Sequence, residues 1–68
     1  MDRILIESSK DYLGLRVRTS KYHDGRDTIE IMTFEVDGRT VEKIIFVPQE
    51  IPALIEALND AVAELAGE

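Results

Sequence analysis

The first half of the chain carries basic and aromatic side chains at spacings that suit contact with a nucleic-acid strand. Arg16 and Arg18 alternate with apolar residues, so their guanidinium groups project from the same side of a predicted strand. Lys21, Tyr22 and Arg26 follow in a polar segment. Cations attract phosphates, and flat aromatic rings stack on bases. These residue types indicate a candidate surface for single-stranded nucleic acid.

Three more side chains extend this candidate surface onto neighbouring strands. If Ile29 and Ile31 face the core, Met32 and Phe34 share the outer side of the third strand. Lys43 adds a cation on the fourth strand. Stacking is worth about 1–3 kcal/mol per base, so a few rings suffice for weak binding. The predicted nucleic-acid-binding set is Arg16, Arg18, Lys21, Tyr22, Arg26, Met32, Phe34 and Lys43.

A purely structural interpretation of these residues stays open. In it, Arg16 or Arg18 forms a cross-strand ion pair with Glu30, and each such pair is worth about 0.2–1 kcal/mol. Tyr22 and His23 are then ordinary solvent-exposed turn residues. The residue types alone do not decide between the two interpretations.

Catalysis and metal binding find little support in the sequence. The chain has no Cys, so thiolate chemistry and cysteine-based metal sites are excluded, and with His23 as its single His a histidine-rich metal site is not expected. Ser8 and Ser9 have no neighbouring base to activate a nucleophile. No glycine-rich phosphate loop precedes a helix. We therefore predict a protein that is not an enzyme and needs no metal or cofactor.

Charge is distributed unevenly along the chain. The net charge is −6, yet all eight Lys and Arg residues lie at or before Lys43. Residues 48–68 carry acids only, and these five are Glu50, Glu56, Asp60, Glu64 and Glu68. A nucleic-acid surface must then lie in the first part. The last part is predicted to be a packing or partner helix with an acidic, solvated outer face.

Hydrophobic alternation predicts four strands, over residues 3–8, 13–21, 27–36 and 40–47. Asp24-Gly25 and Asp37-Gly38 supply the positive φ angles of tight turns, so the strands form an antiparallel meander. The run from Ile44 to Val47 is continuously apolar, which predicts burial on both faces.

A helix is predicted over residues 49–66, opened by Pro48, which suits the first helical position. Its apolar residues recur at three- and four-residue spacing along one stripe. At about 27 Å it is longer than a four-stranded sheet is wide, so its second half needs another cover. A second copy of the helix is the economical cover. The predicted dimer interface is Leu54, Leu58, Ala61, Val62 and Leu65.

At 68 residues the chain is predicted to be a single α+β domain of ββββα order. So small a core is marginal alone, and without disulfides dimerisation is the usual remedy. The N-terminus has no signal-peptide core and no apolar run approaches membrane-spanning length, so a cytoplasmic protein is expected.

The segment from Leu15 to Leu58 resembles the transcriptional coactivators typified by positive cofactor four, and the related whirly and Pur-type single-stranded-DNA-binding domains. The resemblance lies in Leu-Arg-Val-Arg, the turn with Gly25-Arg26, the second turn at Asp37-Gly38, and Ile45-Phe46-Val47-Pro48 before the helix. It implies a curved four-stranded antiparallel sheet, dimerisation through the helix, and binding of single-stranded nucleic acid by basic and aromatic side chains.

Two functions from different classes follow. The leading prediction is a dimeric, transcription-cofactor-like domain that binds single-stranded DNA or RNA. The alternative is an acidic protein-interaction or regulatory module with the same fold and little nucleic-acid affinity. The net charge of −6 and the lack of tryptophan favour the alternative, and the basic cluster favours the first.

Overall fold

The computed structural model describes residues 1–67 and has the order ββββα, which confirms the predicted fold class. The strands pair only with their neighbours in sequence, giving one antiparallel sheet of order β1-β2-β3-β4. A one-turn 3-10 helix precedes α1. The elements are β1 Asp2–Ile6, β2 Gly14–Lys21, β3 Asp27–Phe34, β4 Thr40–Phe46, the 3-10 turn Pro48–Glu50 and α1 Ile51–Ala66.

The hairpins β2–β3 and β3–β4 close with turns of the same design at opposite ends of the sheet. In the first, Gly25 N–H donates to the Tyr22 carbonyl and Arg26 N–H donates to the Asp24 carboxylate. Gly38 and Arg39 make the equivalent bonds in the second turn. Both glycines have φ of +90°, which side chains rarely adopt. The Asp-Gly-Arg sequence therefore fixes both corners.

The strand register divides the sheet into two faces, because residues directly opposite one another in an antiparallel pair share a face. On the cationic face, Arg16 lies between Ile4 and Met32, and Arg18 lies opposite Glu30. Lys43 joins this face opposite Met32. The other side, the apolar face, carries Leu15, Val17, Ile29, Ile31, Ile44 and Phe46.

The more buried side is the cationic face, which reverses our expectation for the third strand. Met32 is 3% exposed and Phe34 is 8% exposed, whereas Ile29 and Ile31 are only half-buried. The Phe34 ring covers Gly14, and the long side chain of Arg16 lies beside Met32 in the register. The prediction that Met32 and Phe34 lie open on an outer side is thus wrong for this conformation.

Burial of the fourth strand on both faces is also not found. Ile44 and Ile45 are both exposed. The physical reason is position: β4 is an edge strand that pairs only with β3. Within the described residues 1–67, no element packs across the apolar face to shield Ile44.

Four strand limits fall short of the predicted ones by one or two residues: β2 begins at Gly14 and not at Leu13, and β1, β3 and β4 end early. β1 contains a register shift between Ile4 and Ile6, after which the turn at Ser9–Tyr12 begins. β3 stops at Phe34 because Glu35 already starts the second tight turn, accepting from Gly38 N–H at 2.8 Å. β4 ends at Phe46, immediately before the 3-10 turn.

The α-helix begins two residues later than predicted. Ile51 N–H bonds to the Pro48 carbonyl in a 3-10 pattern, and Pro52 has no N–H to offer that carbonyl. A regular four-residue ladder therefore cannot start at Pro48. The Glu50 side chain closes this turn by accepting from Val47 N–H at 2.9 Å.

α1 projects away from the sheet, and within residues 1–67 no strand packs along it. The radius of gyration is 14.2 Å, against roughly 11 Å for a compact chain of this length. Val62 and Leu65 are 67% and 72% exposed. The exposure predicted for the second half of the helix is found, but the helix does not overhang the sheet, because no strand packs along its first half either. Among the described residues, no helix has the length and hydrophobicity needed to cross a membrane.

Candidate nucleic-acid interface

The cationic face holds the strand cations predicted to contact phosphates, and each is already paired with a carboxylate. Arg16 donates to Asp2 through Nε at 2.7 Å and through a second guanidinium nitrogen at 2.5 Å. The pair joins β2 to β1. It is partly exposed on both sides, so a competing anion can reach it.

Glu30 is the centre of a second ion-pair cluster on the same face. The Arg18 guanidinium donates to Glu30 Oε1, and Lys43 Nζ lies 3.6 Å from Glu30 Oε2. Glu30 is only 6% exposed, while the Arg18 and Lys43 side chains remain more open. The structural interpretation of Arg18 is thus confirmed, because this residue does pair across strands with Glu30. Arg16 instead pairs with Asp2.

These pairs shift the acid–base behaviour of the carboxyl groups. The hydrogen bond from Arg18 lowers the pKa of Glu30, and this effect outweighs the desolvation that acts in the opposite direction. The hydrogen bond from Arg16 lowers the pKa of Asp2 and raises that of Arg16. The face carries three cationic side chains against two carboxylates.

The tip of the β2–β3 hairpin brings two rings and a guanidinium together. The Tyr22 and His23 ring centroids are 4.4 Å apart, and Arg26 Cζ lies 5.5 Å from the Tyr22 centroid. Asp24 Oδ2 accepts from Arg26 Nε at 2.7 Å and holds the guanidinium in place. Tyr22 remains 43% exposed. The tip therefore presents flat surfaces on which a base can stack.

A pocket of about 310 Å³ opens beside this tip, between the hairpin and the 3-10 turn. We call it the hairpin pocket. Its volume lies at the small end of the range for ligand sites. Two residues of its lining, Tyr22 and Arg26, were predicted to bind nucleic acid. The full lining is Tyr22, Arg26, Thr28, Ile45, Val47 and Glu50.

The structure brings together most, though not all, of the predicted residues. Arg16, Arg18 and Lys43 share the cationic face, and the hairpin pocket lies at one end of it. Lys21 alternates with Val17 and Thr19 onto the opposite side, where its Nζ pairs with Asp27 at 2.6 Å and lowers the pKa of that carboxyl.

Sequence reasoning missed the contribution of the segment after β4 to this pocket. From the sequence, Glu50 was counted only among the acids of residues 48–68, and Ile45 and Val47 only as members of a buried apolar run. What could not be foreseen was that Glu50 would reach the same opening as Tyr22.

Four of the five residues predicted for a dimer interface are exposed in the single chain, and Leu54 is half-buried. They lie along one stripe of α1, as the spacing indicates.

Comparison of the chain with protein-family models, with curated proteins and with solved structures gives no match.

Proposed function

We propose that the chain is a single-stranded nucleic-acid-binding domain that acts as a homodimer. The observation that carries the proposal is one continuous track. It runs along the cationic face from the row of Arg16 and Lys43, past Arg18, to the hairpin pocket with Tyr22 and Arg26. From the Arg16 row to the pocket floor at Thr28 is about four residues of strand, or roughly 14 Å. Phosphates and bases of one strand fit such a track.

The carboxylates on this track set the strength of the binding. A phosphate must displace Asp2 from Arg16 and compete with Glu30 for Arg18 and Lys43. Surface ion pairs are worth only about 0–1 kcal/mol, so the exchange at Arg16 costs little. Glu30 is buried and stays in place, which weakens the hold of its two cations on phosphate. We expect modest affinity that depends strongly on salt.

Fluorescence anisotropy of a labelled single-stranded oligonucleotide, measured across a salt series, tests the proposal. Three or four phosphate contacts per protomer give a slope of log affinity against log salt of roughly −2 to −3, at about −0.7 per contact. Arg16→Ala weakens binding and reduces the slope by about 0.7. No detectable binding at low salt would refute the proposal.

The two similar turns provide a matched control. Arg26→Ala removes the guanidinium beside Tyr22, whereas Arg39→Ala removes the equivalent residue of the turn at the other end of the sheet. Arg26→Ala is expected to weaken binding several-fold and Arg39→Ala to leave it nearly unchanged. Equal losses would mean that the strand is held by overall charge and not by the track.

The homodimer is supported by the amount of surface that a single chain leaves open. Its accessible area is 5495 Å², against roughly 4,300 Å² for a compact monomer of this mass. The excess of about 1,200 Å² exceeds the roughly 800 Å² that each partner buries in a standard interface. Most of the stripe on α1 is exposed, and so is Ile44 on the otherwise half-buried apolar face.

A pair of neighbouring substitutions tests the dimer by sedimentation or light scattering. Val62→Glu places a carboxylate in the apolar stripe, and Ala63→Glu places the same group on the far side of α1. We expect Val62→Glu to dissociate the dimer and Ala63→Glu to leave it intact. A wild-type chain that is monomeric at micromolar concentration would contradict this part of the proposal.

A second candidate function is an acidic protein-interaction module. The observation that favours it is the pairing of Arg16, Arg18, Lys21, Arg26 and Lys43 with carboxylates of the same chain. Under this alternative those pairs only hold the sheet together. Arg16→Ala and Arg18→Ala would then lower thermal stability, and neither the unaltered protein nor these variants would bind the oligonucleotide.

A further inference from the structure

We propose that the hairpin pocket binds one guanine base of the nucleic-acid strand, with Glu50 recognising its Watson–Crick edge. This inference rests on the proposed function and adds a base preference to it.

The pocket has the dimensions and wall chemistry of a site for one flat heterocycle. Its volume is about 310 Å³. Tyr22 and Arg26 offer planar surfaces on the hairpin side, and Ile45 and Val47 supply apolar contact. Thr28, which is buried, contributes to the lining from β3. Apolar walls with a few polar groups are typical of small-molecule sites.

Glu50 is the anionic group of this lining, and the fold holds it in place. Its Oε1 accepts from Val47 N–H at 2.9 Å, which anchors the carboxylate across the 3-10 turn. The other carboxylate oxygen and the remaining lone pairs are left for a ligand. An ionised carboxylate only accepts hydrogen bonds, so the pocket selects a base edge made of donors.

Guanine is the base whose Watson–Crick edge presents two adjacent donors, N1–H and the N2 amino group. Adenine and cytosine each offer one amino donor beside a ring nitrogen lone pair, which a carboxylate repels. Thymine and uracil offer a single N–H between two carbonyl oxygens. A good bidentate contact discriminates against the wrong base by about tenfold or more. The same carboxylate therefore attracts guanine and disfavours the other bases.

Arg26 supplies a stacking surface in the wall of the pocket. Its guanidinium is held by Asp24 at 2.7 Å and faces the Tyr22 ring. Bases stack on aromatic rings and on arginine planes with little regard to sequence. Stacking thus supplies affinity for any base, and Glu50 supplies the choice among them.

The test is competition anisotropy with thymine oligonucleotides that carry a single central G, inosine, A or C. Inosine lacks only the 2-amino group of guanine, so it isolates one of the two donors. We expect the G strand to bind about tenfold tighter than the A and C strands, with the inosine strand between them. Glu50→Gln keeps an oxygen to accept from Val47 N–H, and it should remove the preference, so that the G strand binds no tighter than the A and C strands.

The outcomes separate this inference from the proposed function. Equal binding of all four strands overturns the guanine site and leaves the nucleic-acid function standing. Absence of binding to every strand overturns both. If free dGMP competes as well as the G strand does, the pocket is a site for a free nucleotide, and the proposal that it binds a base of a strand is overturned. If Glu50→Gln does not fold, as judged by circular dichroism, the comparison of G with inosine on the unaltered protein still decides.

Discussion

The contact between Gly14 and Phe34 leads to a sharp prediction about stability. A β-carbon built on Gly14 would lie 2.5 Å from Phe34 Cε1 and 2.7 Å from Cε2, far inside van der Waals contact. Gly14→Ala therefore forces the ring off the sheet. Overpacking of this kind costs about 1–3 kcal/mol. Alanine in a strand recovers about 0.5–1 kcal/mol of backbone entropy, which leaves a net loss of roughly 1–2 kcal/mol.

Thermal unfolding followed by circular dichroism measures this loss. For a domain of this size, 1 kcal/mol corresponds to about 4–8 °C in Tm, so we expect Gly14→Ala to lower Tm by roughly 5–15 °C. All variants must be compared at one protein concentration, because dimerisation makes Tm depend on it. Gly67→Ala is the control: its β-carbon meets only ordinary contacts, at 3.5 Å from the Ala63 carbonyl.

The decisive measurement is a double-mutant cycle with Phe34→Leu. A smaller side chain at position 34 makes room for the new methyl group, so Gly14→Ala should cost almost nothing in that background. Residues in contact typically show coupling of about 0.5–3 kcal/mol. If Gly14→Ala lowers Tm equally in both backgrounds, the ring does not rest on Gly14 and the description of this face is wrong.

Three further predictions concern charge and backbone. Ion pairing lowers the pKa of Glu30, so the contribution of Glu30 to stability is complete above the ordinary carboxyl pKa of 4.5 and is lost as pH falls through the lowered pKa of the folded state. The urea concentration at the unfolding midpoint, measured from pH 7 to pH 2, should therefore decrease below pH 4.5. The decrease should be smaller for Glu30→Gln. Asp2→Asn releases Arg16 and should tighten oligonucleotide binding several-fold at low salt, with no gain at high salt; unchanged affinity would count against Arg16 as a phosphate contact. Gly25→Ala and Gly38→Ala both impose a side chain at φ +90°, so each should destabilise the protein by about 1 kcal/mol or more in chemical denaturation; a neutral result would show that the turn relaxes.

The order of elements was predictable because local signals agree with one another. Alternation marked the strands, and the two Asp-Gly pairs marked the tight turns that join β2 to β3 and β3 to β4. The helix followed from its apolar stripe. Each of these signals acts over a few residues, so tertiary structure did not have to be known.

Which face of the sheet is covered could not be predicted in the same way. Alternation tells which residues share a face, and that assignment of Arg16, Arg18, Met32 and Phe34 is confirmed by the register. Burial depends on what lies on top. Here the Phe34 ring over Gly14 and long charged side chains close the cationic face, while α1 extends away from the apolar one.

The residues of the candidate site also differ in whether they could be identified from the sequence. Arg16, Arg18 and Tyr22 could be identified from residue type and spacing alone. Glu50 could not be identified in this way, because it reaches the hairpin only through the turn at Pro48–Glu50. The same holds for Asp2, since nothing in the sequence indicates that its carboxylate pairs with Arg16.

The open edges of the sheet have a consequence for the chain's solution behaviour. β1 and β4 both leave unpaired backbone groups, and such rims are templates for intermolecular ladders. Residues 48–68 supply five of the six net negative charges, so molecules repel one another before their rims can meet. A chain cut before Pro48 keeps eight bases and nine acids, close to electroneutrality. Such a fragment would lose its colloidal protection and assemble readily into cross-β fibrils.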